Sequence, residues 1–227
     1  AKRDGFGDVL ADGARVAAEK IGGEAEDYAI HIQGQELPMH DPRFEPGLGL
    51  IYQIDATPGR HTQASQYIAP VGLDRDIPAF GENREEQEGR GRHLKVLSAL
   101  THVMNASGMC LFGYLSTEVT FLPEFLTAIT GHSYSLEDLV TVGERIADIR
   151  QAFNVREGIN ALAFSIPKRA YGMPPLEEGP TAGVTVEIDT LLKEHLEEMD
   201  WDPESAKPNA ERLIELGMED VAQDLWD

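Results

Sequence analysis

The chain has 227 residues, a formal net charge of −21 and one cysteine. That length buries one substantial core or two small ones without help from a structural metal, and a lone cysteine excludes an internal disulfide. The acidic balance repels phosphate backbones and anionic membranes, which sets aside nucleic-acid and membrane binding and leaves basic partners or neutral substrates. No secretory leader and no apolar run of about 20 residues is visible, so the sequence reads as a cytoplasmic protein. It begins at Ala1 and turns helical almost at once, the pattern expected of a piece of a longer polypeptide or of a chain that has lost its initiator methionine.

In chain order, apolar residues from Val9 to Ile21 recur at helical spacing and predict one helix from Gly7 to Lys20, stopped by Gly22-Gly23. Tyr28 to Ile32 alternates like an extended segment. Pro38 and Pro42 then forbid a regular helix, which predicts an ordered loop over 36–43. Gly47 to Ile54 reads as a buried helix start ending at Thr57-Pro58-Gly59-Arg60-His61. Residues 74–92 read as a polar surface connection, and 93–105 as a long helix with Leu94, Leu97, Leu100, Thr101 and Met104 in one stripe.

Pro123 suits the first turn of a helix that runs to Gly131. Ser135 with Asp138 forms a variant capping box for a further helix, with Leu139, Val142, Ile146, Ile149 and Phe153 expected inward and Arg145 and Arg150 on the other side. From Pro167 to Gly183 proline and glycine predict an irregular crossing of the surface. Ile188 to Met199 reads as an acidic amphipathic helix, Trp201-Asp202-Pro203 as a turn, and Ala210 to Leu216 as a last helix ended by Gly217. Helical patterns far outnumber strands. The expected class is mainly α: irregular helical domains with long ordered loops and little or no sheet.

Two stretches carry the candidate chemistry. Arg60 and His61 follow a proline-glycine turn, a pairing suited to holding an anion and moving a proton near neutral pH, although a histidine there also serves as a capping residue. Cys110 closes Asn105-Ala106-Ser107-Gly108-Met109-Cys110 after the long helix. On its own this thiol reads equally as a packed apolar side chain, a nucleophile, or one ligand of a metal cluster completed from elsewhere. The remaining histidines lack the spacing of a zinc or non-haem iron site.

Taken together, several motifs resemble the C-terminal part of the tungsten-pterin aldehyde:ferredoxin oxidoreductases. Gly34, Glu36, Leu37, Pro38, Asp41, Pro42 and Arg43 match a run of the form G-x-E-L-P-x-x-D-P-R, followed by Gly47, Gly49 and Leu50 for G-x-G-L. Thr57-Pro58-Gly59-Arg60-His61 keeps the histidine of an arginine-glycine-x-x-histidine segment, and Asn105, Gly108, Met109 and Cys110 stand for D-x-x-G-L-C. Gly143 to Ile146 and Phe153 to Gly158 look like G-E-R-I and F-N-x-R-E-G. Leu176 to Pro180 and Leu216 to Ala222 match the later P-L-x-x-G-P and L-G-L-x-D-V-A.

The resemblance implies a role for each site residue. Cys110 would be the fourth ligand of a [4Fe-4S] cluster, His61 the catalytic histidine near the metal, and Asn105 and Met109 cofactor-binding neighbours of the pterin. Thr57 and Gln63 stand where the family places basic residues against the pterin. The implied cofactors are a tungsten or molybdenum bis-pterin and the cluster, both expected only in the full-length protein. The implied partners are the N-terminal region of the same enzyme, which supplies three further cysteines, a small aldehyde, and ferredoxin or a similar carrier. Self-association is left open. Residues up to about 115 would face the cofactor and about 116–227 would be peripheral. Without the N-terminal region the chain is expected to be inactive. The competing reading is a cofactor-free helical binding or structural module on the same scaffold.

Overall fold

The structure, a computed structural model, describes residues 3–63 and 91–227. The surface connection expected at 74–92 therefore lies, except for its last two residues, outside the described residues. Where the sequence predicts one N-terminal helix there are two, α1 (Phe6–Leu10) and α2 (Ala14–Ile21). The cause is Gly13, at φ +88, a left-handed conformation that interrupts helical bonding and is open to glycine without strain. A short α3 (Ala25–Tyr28) leads to an antiparallel hairpin of β1 (His31–Ile32) and β2 (Gln35–Glu36), the only sheet among the described residues. Gln33 and Gly34 both have positive φ, as a tight two-residue hairpin turn requires.

Helix α4 (Pro46–Ile54) starts as its sequence dictates: the Glu45 carboxylate accepts from the Gly47 N–H, and Pro46 occupies the first turn, where its missing donor costs nothing. Residues 47–54 are all buried. The long helix α5 (Gly91–Ala106) follows, then the short α6 (Leu111–Leu115) and α7 (Phe121–Thr130), which holds Pro123 in its first turn and ends at left-handed Gly131. Helix α8 (Leu136–Arg156) opens with the capping box read from Ser135 and Asp138. The crossing at 167–183 is mostly irregular but includes a 3₁₀ turn at Lys168–Tyr171. Helices α9 (Ile188–Met199), α10 (Ala210–Glu215) and α11 (Glu219–Trp226) complete the chain, the last being one that the sequence reading did not anticipate. The architecture is mainly α, and no described helix is long and apolar enough to cross a membrane.

Helix α5 contributes to both principal cores. Leu94 joins Leu48, Leu50, Tyr52, Tyr171, Leu191 and Trp201. Further along, Leu97, Leu100, Val103 and Met104 pack with Tyr114, Val119, Leu122 and Leu139. Each such buried side chain contributes about 2 kcal/mol.

Helix α8 departs from the predicted stripe. Leu139 is buried, but Ile149 and Phe153 are 50% and 55% exposed, and Arg150 turns inward. The inward face carries Gly143, Glu144, Asp148, Gln151 and Ala152; Glu144, Asp148 and the Gln151 amide N–H find partners far along the chain, while the Gln151 side-chain oxygen has none among the described residues. Glu144 pairs with Lys95 and Arg212, the Trp201 indole N–H donates to Asp148 at 2.7 Å, and Gln151 donates to the Ala206 carbonyl at 3.0 Å.

This polar interior makes stability depend on pH. Burial depresses His102 and His195 to about 4 and raises Asp148 to about 7. Below about pH 6.5 the unfolded chain protonates His102 and His195 and the folded chain does not, so each of these two erodes stability as pH falls toward 4; Asp148, protonated early in the fold, works the other way. Two groups against one leave a net loss of about one group's worth, on the order of 3 kcal/mol between pH 7 and 4. Urea denaturation across that range should show the decline, and His195→Met should flatten it. A stability rising toward pH 4 would contradict this assignment.

Candidate functional site

The site is built on the loop over 55–63, which leaves the C-terminus of α4. Asp55 folds it back on itself: one carboxylate oxygen accepts from the Thr57 N–H at 2.8 Å and from the Thr57 hydroxyl at 2.9 Å, a turn that aspartate's short side chain favours. Helix α8 then holds it. The Arg150 guanidinium donates to both Asp55 oxygens at 2.9 and 3.0 Å and to the Thr57 hydroxyl at 2.9 Å, while the Asn154 amide donates to the Ala56 carbonyl at 2.8 Å. His102 flanks the ion pair, its Nε2 4.0 Å from Asp55.

The far end of the loop is tied to α5. The Asn105 amide donates to the carbonyls of Thr62 and Gln63, at 2.8 and 3.3 Å. An aspartate at that position accepts only and makes neither bond unless it is protonated. Past Asn105 the chain turns through left-handed Gly108, half-buried Met109 packs against the second core, and Cys110 lies exposed as the residue before α6.

His61 is half-buried beside His40 of the proline-rich loop, with ring centroids 4.6 Å apart at 51°. Burial, and then the neighbouring imidazole, hold His61 below the ordinary histidine range. Both loops are fixed to one residue. The Gly59 N–H donates to the Tyr52 carbonyl at 2.8 Å, and the Tyr52 hydroxyl donates to the His40 carbonyl at 3.2 Å.

The structure thus brings Asn105, Gln63 and His61 together and sets Cys110 five residues past the amide that joins them. Thr57 sits in the same loop, with its hydroxyl engaged by Asp55 and Arg150. The sequence reading missed Asp55, Arg150, Asn154 and His40. Asp55-Ala56-Thr57-Pro58 carried a turn signal, and Asn154 stood in a quoted motif, but the partners of α8 lie nearly 100 residues away. Among the described residues no three His, Cys, Asp or Glu side chains converge on a metal position. Cys110 therefore offers a single soft ligand, in the open, which fits a cluster only if other thiolates come from elsewhere.

The scaffold is mainly helical, and it presents a solvent-facing thiol and a half-buried imidazole on either side of the link made by Asn105. The family model described as aldehyde ferredoxin oxidoreductase, domains 2 & 3, matches residues 1–218, and the chain belongs to this family. It is 32% identical over 222 residues to the tungsten-containing aldehyde ferredoxin oxidoreductase of Pyrococcus horikoshii, covering 97% of this chain and 35% of that protein. Against the Pyrococcus furiosus protein of the same description the identity is 31% over 219 residues, again 35% of its length. The chain thus spans about a third of the curated relatives it matches. Among solved structures, the active site complex BamBC of benzoyl coenzyme A reductase, in complex with 1,5 dienoyl-CoA, shares the fold at a TM-score of 0.69 and 22% identity. That match covers 98% of this chain and 38% of the other.

Proposed function

We propose that this chain is the part of an aldehyde-oxidising oxidoreductase that closes one side of a tungsten or molybdenum bis-pterin site and supplies the last ligand of a [4Fe-4S] cluster. The observation that carries this reading is the exposed Cys110 thiol, on the turn that follows the helix whose Asn105 holds the His61 loop. Met39, next to His40, is 91% exposed, and Phe112, two residues past Cys110, is 78% exposed. Large apolar side chains so open to water beside a site are the mark of a surface made to be covered, here by the N-terminal region of the same enzyme.

The chemistry is the conversion of an aldehyde and water to a carboxylic acid, two protons and two electrons, with the bound metal-pterin supplying the redox capacity. This chain's residues do the rest. His61, kept neutral, accepts a proton; the clamp of Asp55, Arg150, Asn154 and Asn105 holds it in place; Cys110 binds iron through its thiolate. Electrons leave for ferredoxin or a similar carrier. Apart from the N-terminal region the chain turns nothing over.

The test is the full-length protein expressed anaerobically with tungstate or molybdate, followed by metal and iron analysis and aldehyde-dependent dye reduction. Cys110→Ser should lose cluster iron. His61→Gln should keep both metals but lose turnover on the order of 100-fold or more, the usual contribution of a positioned acid-base group. Absence of tungsten, molybdenum and iron from the wild-type protein would favour the cofactor-free module.

A further inference from the structure

The proline-rich loop over 36–43 does more than fill space, because it delivers a second imidazole to the site. We propose that His40 is a tuning residue for His61: the proline-rich loop holds its ring against that of His61, and this contact keeps His61 neutral and ready to accept a proton. This rests on His61 being the proton-handling group of the site.

The geometry is built. Ring centroids 4.6 Å apart leave no room for a screening layer of water between two positive charges, so protonation of one ring disfavours protonation of the other. Neither ring is free to drift away. Pro38 and Pro42 stiffen the loop on either side of His40, the Tyr52 hydroxyl holds its carbonyl, and the Arg43 guanidinium locks onto Asp41 next to it. On the other side Gly59 is tied to the Tyr52 carbonyl, and its φ of +72 brings it so near the hairpin that a Cβ would lie 2.8 Å from Gln35. Asn105 holds the residues immediately after His61.

Among the described residues the charged groups near the pair are Asp41 and Arg43, which neutralise each other, Asp55, which is taken by Arg150, Arg169, which lines the same hollow as His40 and donates to the Asp27 carbonyl, and the exposed Arg60. Cys110 lies beyond Asn105. His40 is the neighbour whose charge acts on His61, and the direction of the His61 shift agrees.

The experiment is an NMR titration of the imidazole carbon-proton signals in this chain. In the wild-type protein the His61 midpoint falls below the ordinary value of about 6.5. His40→Gln should raise it by at least about half a pH unit, roughly threefold in proton affinity, and His40→Lys should lower it further. A residue that only packs would move the midpoint the same way in both variants, whereas a charge effect moves it in opposite directions. An unmoved His61 midpoint in His40→Gln, or one that rises in His40→Lys, overturns the proposal. If His40→Gln loses its dispersed amide spectrum, His40→Asn decides, with an unmoved His61 midpoint as the refuting result. Failure of the functional reading shows elsewhere, as full turnover by the full-length His61→Gln enzyme, and leaves the His61 titration intact.

Discussion

Gly143→Ala should cost about 3 kcal/mol of folding stability and lower the thermal midpoint by roughly 10 °C. A Cβ built on Gly143 lies 2.1 Å from the Ala99 carbonyl oxygen, 2.4 Å from its carbon and 2.5 Å from its Cα. All three are backbone atoms of α5, which cannot rotate aside as a side chain would, so α5 and α8 must move apart by about an ångström. That separation opens the packing of Leu139 against Leu97, Leu100 and Val103, and it draws Arg150 and Asn154 back from the 55–63 loop. Gly113→Ala provides the control. Its new methyl would meet only the Cys110 Cβ, at 3.9 Å, and helix α6 gains from alanine, so this variant should melt at or slightly above the wild-type temperature. Scanning calorimetry of the two separates a steric crossing from a general intolerance of helix substitutions. Equal midpoints for Gly143→Ala and wild type would refute the close crossing.

What the sequence disclosed and what it hid divide along the range of the forces involved. Chemistry confined to a few neighbouring residues was legible. The Ser135–Asp138 box starts α8, Pro123 sits in the first turn of α7, and Gly22 stops α2. The mainly helical class followed from those patterns together. Gly13 went unread because a single glycine breaks a helix only when tertiary packing takes up the turn it permits. The inward face of α8 was misread for a related reason. Ile149 and Phe153 satisfy a helical hydrophobic pattern, yet Glu144, Asp148 and Gln151 take the interior because Lys95, Arg212, Trp201 and the Ala206 carbonyl arrive there to pair with them. No local pattern encodes a partner more than 40 residues distant. In the site, motif likeness named His61, Asn105 and Cys110, but the use Asn105 makes of its amide depended on the backbone of Thr62 and Gln63 arriving from 43 and 42 residues upstream.

The second large effect belongs to Arg150. In Arg150→Met the buried Asp55 carboxylate, 4% exposed, loses two charge-assisted bonds and has only the Thr57 N–H and hydroxyl left. Stranding a buried charge costs about 3–5 kcal/mol, and the 22% exposure of Arg150 places the expected loss at the lower end, near 3 kcal/mol at pH 7.5. The size of this loss should depend on pH, and its sign follows from His102. At present burial, first, and the Arg150 charge hold His102 down at about 4, against the pull of Asp55. Removing the guanidinium leaves only burial against that pull at 4.0 Å, so the His102 midpoint climbs and the imidazolium becomes the partner of Asp55 as pH falls. A histidine whose folded pKa rises contributes stability on the acid side, so the deficit of Arg150→Met relative to wild type should shrink between pH 7.5 and 5.5. Arg150→Met with Asp55→Asn removes both charges and should recover most of the lost stability at pH 7.5, because a missing pair costs far less than half of one. Urea denaturation of the three proteins at the two pH values measures all of this. A deficit that is constant with pH would separate His102 from the ion pair, and a double variant no more stable than the single would show that Arg150 acts through packing and not through Asp55.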